Sequence, residues 1–180
     1  NLSNGYIEAS WPKNGIYGAE RIFPNIAVGA TENTIMAASL AIGKTTIVNA
    51  AKEPEIIDLS NCLNSMGANI KGAGTNTVTI EGVKTLHGCS HKVISDRIEA
   101  GSFAIAASIT GGELELTDCN PTHLSSLSTH LINSGVSWKN DENSIKVSSN
   151  GNLKPISIKT QEYPGFPTDL QAQFMTLMCI

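Results

Sequence analysis

Aromatic residues are scarce, 5% of the 180 positions, and charged residues make up only 16%. The 12 Lys and Arg residues are scattered and outnumbered by 16 Asp and Glu, for a formal charge of -4. Binding to nucleic acid or an anionic membrane through bulk charge is thereby excluded. No apolar run approaches the roughly 20 residues of a membrane-spanning helix. The first residues lack the basic start and apolar centre of a secretory signal. Cysteine is sparse too: Cys62, Cys89, Cys119 and Cys179 stand far apart, with no CxxC pair. A disulfide framework is a poor reading of that spacing, and free thiols in a reducing cytosol are expected. An initiator Met is missing, and the sequence stops at Met178-Cys179-Ile180 inside an apolar stretch, so part of a longer protein is expected.

What remains can build a core. At 41% hydrophobic content, the length suits one large domain or parts of two. An internal repeat of about seventy residues organises it. Glu32-Asn-Thr-Ile-Met-Ala-Ala-Ser-Leu-Ala-Ile-Gly43 aligns with Glu99-Ala-Gly-Ser-Phe-Ala-Ile-Ala-Ala-Ser-Ile-Thr-Gly-Gly112. Each predicts a small-residue helix without a polar face, over 34–42 and 99–110, which belongs inside a core. Short strands follow at 45–50 and 113–118.

A second, amphipathic helix comes next in each copy. Its apolar stripe is Ile56, Leu59, Leu63 in the first and Leu124, Leu127, Leu131 in the second. Pro54 and Pro121 mark the starts, and Gly67 and Gly135 the left-handed ends. Strand pairs 69–71 with 77–81, and 137–139 with 144–148, close the two units, and a third unit starts at Thr168. The expected class is α+β, with βαβαββ-type units stacking their helices centrally and their sheets outside. The polar stretch Gly88–Ser95 joins the two complete units.

Several polar residues invite chemistry, and each also has a plain structural reading. Thr168 and Gln171 form a T-x-x-Q capping box, with Asp169 as a first-turn acid. Asp96 and Glu99 form a D-x-x-E pair with Arg97 solvated between them. Asn25-Ile26-Ala27-Val28-Gly29 reads either as an ordinary strand-to-helix turn or as an anion-binding helix start. His87 and His91 flank Cys89, but no second ligand cluster accompanies them, so no metal is expected. His123 and His130 are placed on the solvent face of the second amphipathic helix. Gly72-Ala-Gly74 is a hairpin turn, because no P-loop or dinucleotide fingerprint surrounds it.

Four ordered stretches carry a resemblance over almost the whole chain: Val28-Gly-Ala-Thr-Glu-Asn, Asn49-Ala-Ala-Lys-Glu-Pro-Glu-Ile-Ile-Asp58, Asp96-Arg-Ile-Glu-Ala-Gly101 and Phe166-Pro-Thr-Asp-Leu-Gln-Ala-Gln-Phe174. Together they resemble the UDP-N-acetylglucosamine 1-carboxyvinyltransferases, a branch of the EPSP synthase-like enolpyruvyl transferases. The resemblance implies an inside-out α/β barrel fold, with residues 1–94 in a first domain and 95–180 in a second. It implies transfer of enolpyruvyl from phosphoenolpyruvate to the 3′-hydroxyl of UDP-N-acetylglucosamine, the first committed step of peptidoglycan synthesis. That step serves cell-wall biogenesis, cell shape and cell division. A cytoplasmic monomer without cofactor is implied. The sister activity on shikimate 3-phosphate and a non-catalytic repeat module are the alternatives.

Residue by residue, the resemblance gives Asp169 as proton acceptor for the sugar hydroxyl, and Thr168 and Asp169 as substrate contacts. Asn25, Ile26, Ala27, Val28 and Gly29 occupy the nucleotide-contacting loop. Lysine and serine stand in well-known relatives at the positions of Asn25 and Ala27, so the backbone contacts of this loop are the part carried over. Glu53, Asp96, Arg97 and Glu99 match charged positions of the cleft or hinge. The family's N-terminal Lys-Asn pair, mobile-loop cysteine and phosphate-gripping arginines match nothing here, so the isolated 180 residues are expected to be catalytically inert.

Overall fold

The structure, a computed structural model, describes residues 2–7 and 13–180 and divides into two compact units between Lys92 and Val93. In the first, β1 (Leu2–Ser3) and β2 (Tyr6–Ile7) pair antiparallel around Asn4 and Gly5, which have φ of +49° and +82°. Asn-Gly suits a two-residue hairpin loop that needs positive φ at both positions. Then follow β3 (Glu20–Ile22), α1 (Val28–Ser39), β4 (Lys44–Val48), α2 (Pro54–Ser65), β5 (Asn69–Lys71) and β6 (Thr77–Glu81). The sheet order is β3-β4-β6-β5, with β3 parallel to β4 and the other neighbours antiparallel.

The second unit repeats the plan: α3 (Arg97–Ile109), β7 (Glu113–Thr117), a 3-10 turn (Pro121–Leu124) leading into α4 (Ser125–Ser134), β8 (Ser137–Asn140) and β9 (Ser144–Ser148). Its strands lie in the order β7-β9-β8, all antiparallel, matching β4-β6-β5. A 3-10 turn at Thr168–Leu170 and α5 (Gln171–Leu177) complete it.

Sequence patterns account for these elements. In β6 and β9, alternation puts Val78 and Ile80, and Ile145 and Val147, into the cores. Ile56 and Leu63 of α2, and Leu127 and Leu131 of α4, face those strands. Pro54 and Pro121 stand in first turns, and Gly67 and Gly135 close the helices at φ of +98° and +102°.

Three expectations change. First, α1 begins at Val28, six positions before 34, and β4 stops at Val48 because Asn49 turns at φ +64°. Second, α1 and α3 are buried on one side only within their units. Ile35, Ala38, Ala104 and Ile105 are inside, while Met36 and Phe103 are exposed, because each sheet covers a single face. Third, His130 leaves the solvent face. It is half-buried, edge-on to Phe166 and Phe174 at centroid distances of 5.3 and 6.3 Å, and its Nδ1 lies 2.7 Å from the Ser126 carbonyl oxygen.

Candidate functional site

In the first unit, residues 25–27 form the entry to α1, and Val28 and Gly29 are its first turn. Ala27 is the extended N-cap and supplies no side-chain cap, and no acidic residue stands in the first turn. Among the described residues the helix therefore opens with backbone N–H groups that lack an intrahelical or capping partner, the feature that suits an anionic ligand. Thr31 holds this entry in place. Its Oγ1 donates to the Ala27 carbonyl at 2.9 Å and accepts from the Ala51 N–H at 3.0 Å. Asn49 Nδ2 donates to the Phe23 carbonyl at 3.0 Å. Two of the four motifs, 28–33 and 49–58, thus meet through Thr31 and Ala51.

Glu53 lies within that second motif, at the N-cap of α2. It is 6% exposed, makes no capping bond, and its Oε2 has no hydrogen-bond partner among the described residues. Leaving a buried carboxylate oxygen unpaired is costly, and such a group calls for a functional explanation. Asn25, Ala27 and Gly29 are exposed, and Ile26 and Val28 are half-buried.

In the second unit, Asp96 is the N-cap of α3, and its Oδ1 accepts from the Ile98 and Glu99 N–H groups at 2.7 and 3.1 Å. The structural reading of Asp96 is what the geometry shows. Arg97 is not simply solvated: its guanidinium lies over the Tyr163 ring, 5.7 Å from the centroid, and lines a shallow depression with Tyr163, Pro167 and His123. Glu99 is exposed in the first turn of α3. Tyr163 was invisible to spacing arguments because it lies 66 positions from Arg97 in a stretch without regular structure.

Thr168 and Asp169 are exposed in a 3-10 turn whose N-cap is Pro167. The capping box is absent: neither Thr168 nor Gln171 caps the turn, and Gln171 Nε2 reaches the Met175 sulfur instead. No hydrogen bond within the described residues engages the Asp169 carboxylate. The turn is fixed from behind. Leu170 is buried against Gly101, and Gln173 Nε2 donates to Ser102 Oγ at 2.9 Å. A Cβ on Gly101 would lie 2.8 Å from Leu170 Cδ1, so the missing side chain lets the Pro167–Leu170 turn approach α3.

His87, Cys89 and His91 do not converge on one point. His87 Nδ1 faces the Gly88 carbonyl, and His91 Nε2 lies 3.0 Å from Asp58 Oδ1.

The family described as EPSP synthase (3-phosphoshikimate 1-carboxyvinyltransferase) matches residues 4–180. A curated relative from Allorhizobium ampelinum named UDP-N-acetylglucosamine 1-carboxyvinyltransferase is 51% identical over 178 residues, covering 98% of this chain and 41% of its own length. One of the same name from Gluconacetobacter diazotrophicus is 50% identical over 180 residues, covering all of this chain and 43% of its own. The chain thus spans about two fifths of the length of the curated relatives it matches. Among solved structures, the enolpyruvyl transferase NikO from Streptomyces tendae aligns with a TM-score of 0.71 and 23% identity over 83% of this chain and 36% of its own. EPSP synthase from Acinetobacter baumannii aligns at 0.54, with 23% identity over 81% and 34%. These two likenesses establish the fold. Among the described residues no helix is long and apolar enough to cross a membrane.

Proposed function

The chain belongs to the EPSP synthase (3-phosphoshikimate 1-carboxyvinyltransferase) family, and from that premise we propose that it supplies the sugar-nucleotide side of an enolpyruvyl transferase acting on UDP-N-acetylglucosamine. The observation that carries this reading is the curated relatives' shared name, at about half identity across the whole chain. In this reading the reaction is the first committed step of peptidoglycan synthesis, carried out in the cytoplasm by a monomer, with phosphoenolpyruvate as the second substrate. Residues up to about Ile94 belong to the first enolpyruvyl-transferase domain, and those from Ser95 begin the second.

The chemistry sets the roles. An alcohol is a weak nucleophile, so its proton must pass to an acceptor within hydrogen-bond reach. The 3′-oxygen bonds to C2 of the enolpyruvyl group while the vinyl carbon C3 gains a proton, giving a tetrahedral ketal. Loss of phosphate from C2 and of a proton from C3 restores the double bond in the product. Asp169 accepts from and orients the hydroxyl, an assignment supported by its exposed carboxylate on a turn packed from behind by Leu170. Thr168 contacts the substrate beside it.

Residues Asn25–Gly29 receive the nucleotide, chiefly through backbone groups at the uncapped start of α1. Glu53, Asp96, Arg97 and Glu99 line the cleft or hinge. Glu53 is the best supported of these, through its unpaired buried oxygen. Asp96 acts through α3, whose N-terminus it caps.

A calorimetric titration with UDP-N-acetylglucosamine and with shikimate 3-phosphate tests the reading. Binding of the sugar nucleotide alone is expected. Binding of shikimate 3-phosphate alone transfers the assignment to the sister activity, and binding of neither favours a non-catalytic repeat module.

A further inference from the structure

The segment after β6 runs antiparallel along α2 in a matched register. The His87 N–H donates to the Met66 carbonyl at 2.9 Å, and the His87 ring covers Gly67. Two residues on, Cys89 Sγ lies 3.8 Å from the Cys62 carbonyl oxygen. Two further on, His91 Nε2 lies 3.0 Å from Asp58 Oδ1. Each step of two residues along the segment matches four along the helix. An extended pair advances about 6.6 Å and four helical residues about 6 Å, so the pairing stays in step. Cys62 and Cys89, 27 positions apart, therefore face each other at its centre, between contacts on both sides.

We propose that Cys62 and Cys89 are a modification site, joined in a reversible intramolecular disulfide by a two-electron oxidant of the peroxide class. Cys89 is exposed and Cys62 half-buried, so the oxidant reaches Cys89 first. The Cys89 sulfur attacks the peroxide, an S–O bond forms as the O–O bond breaks, and one water leaves. The Cys62 sulfur then attacks the resulting sulfenic sulfur, the S–S bond forms, and a second water carries off the oxygen. Both thiols are oxidised and the peroxide is reduced. Closing the bond draws the sulfurs to about 2.05 Å, and Cys89 stands in a segment without regular structure that can follow. The bond fastens the chain leaving β6 to α2. Burial, the neighbouring Cys89 thiol and the Asp58 carboxylate all push the Cys62 thiol up, which makes it a slow primary target and suits the resolving role. Among the described residues no group of three His, Cys, Asp or Glu is arranged to hold a metal. The proposal does not depend on the enolpyruvyl reading.

The test is hydrogen peroxide treatment of the purified protein, followed by thiol counting and non-reducing peptide mapping. Trypsin separates the two cysteines at Lys71 and Lys84. The free-thiol count is expected to fall from four to two. Peptides 53–71 and 85–92 should appear linked, and dithiothreitol should release them. Cys62→Ser and Cys89→Ser each abolish the link with the circular dichroism spectrum unchanged, whereas Cys179→Ser leaves it. Oxidation of Cys89 to sulfinic acid with Cys62 still free, or linkage of Cys89 to Cys179 or to a second chain, overturns the proposal.

Discussion

Gly101→Ala probes how α3 carries the turn that presents Asp169. The new Cβ would meet Leu170 Cδ1 at 2.8 Å, Leu127 Cδ2 at 3.0 Å and Leu170 Cδ2 at 3.2 Å. Ordinary carbon contacts lie at about 3.5–4.0 Å, so both leucines must retreat by roughly 0.5–1 Å. Overpacking of this kind costs about 1–3 kcal/mol. Removing a glycine from a helix returns about 0.4–1 kcal/mol through the unfolded chain. By the difference of those two ranges, the net expectation is a loss of roughly 0–2.6 kcal/mol, centred near about 1.3 kcal/mol. Gly29→Ala is the internal control, because nothing lies within 4 Å of its Cβ position and it sits in the first turn of α1. That variant should gain about 0.4–1 kcal/mol. Urea unfolding followed by far-ultraviolet circular dichroism reads both. With slopes of about 1–3 kcal/mol/M, the Gly101 variant should lose on the order of 0.5 M in midpoint while the Gly29 variant rises. Equal shifts in the same direction would refute the close approach at Gly101.

Thr31→Val keeps the shape but leaves the Ala51 N–H without its acceptor. A loss of about 1–3 kcal/mol is expected in thermal or urea unfolding, together with weaker UDP-N-acetylglucosamine binding in calorimetry as the start of α1 loosens. Asp96→Ala removes the acceptor for the Ile98 and Glu99 N–H groups and should cost about 1 kcal/mol by urea midpoint.

The repeat was legible because its signals are local: proline at helix starts, glycine at helix ends, leucine spacing, and alternation in β6 and β9. The true start of α1 was not. Its first turn is secured by Thr31 bonding back to Ala27, with no side chain at the N-cap to announce it. The box at Thr168 and Gln171 failed for a related reason. Pro167 holds the N-cap place, and the chain enters as a 3-10 turn, whose tighter spacing does not set up that reciprocal pair. His130 was misplaced because its neighbours Phe166 and Phe174 arrive from a stretch 36 to 44 positions away, beyond any periodicity. At the candidate site, motif order pointed to the residues. Only the folded structure shows that Glu53 is buried with an oxygen unpaired among the described residues and that Arg97 lies over Tyr163.

The proposed service of Asp169 to the sugar hydroxyl is open to experiment. Its most direct test is phosphate release from phosphoenolpyruvate and UDP-N-acetylglucosamine by an enzyme of the relatives' full length carrying Asp169→Asn. The expected variant is folded, binds the sugar nucleotide with little change and turns over on the order of 10²–10⁴-fold more slowly. Turnover close to that of the unaltered enzyme would contradict that role.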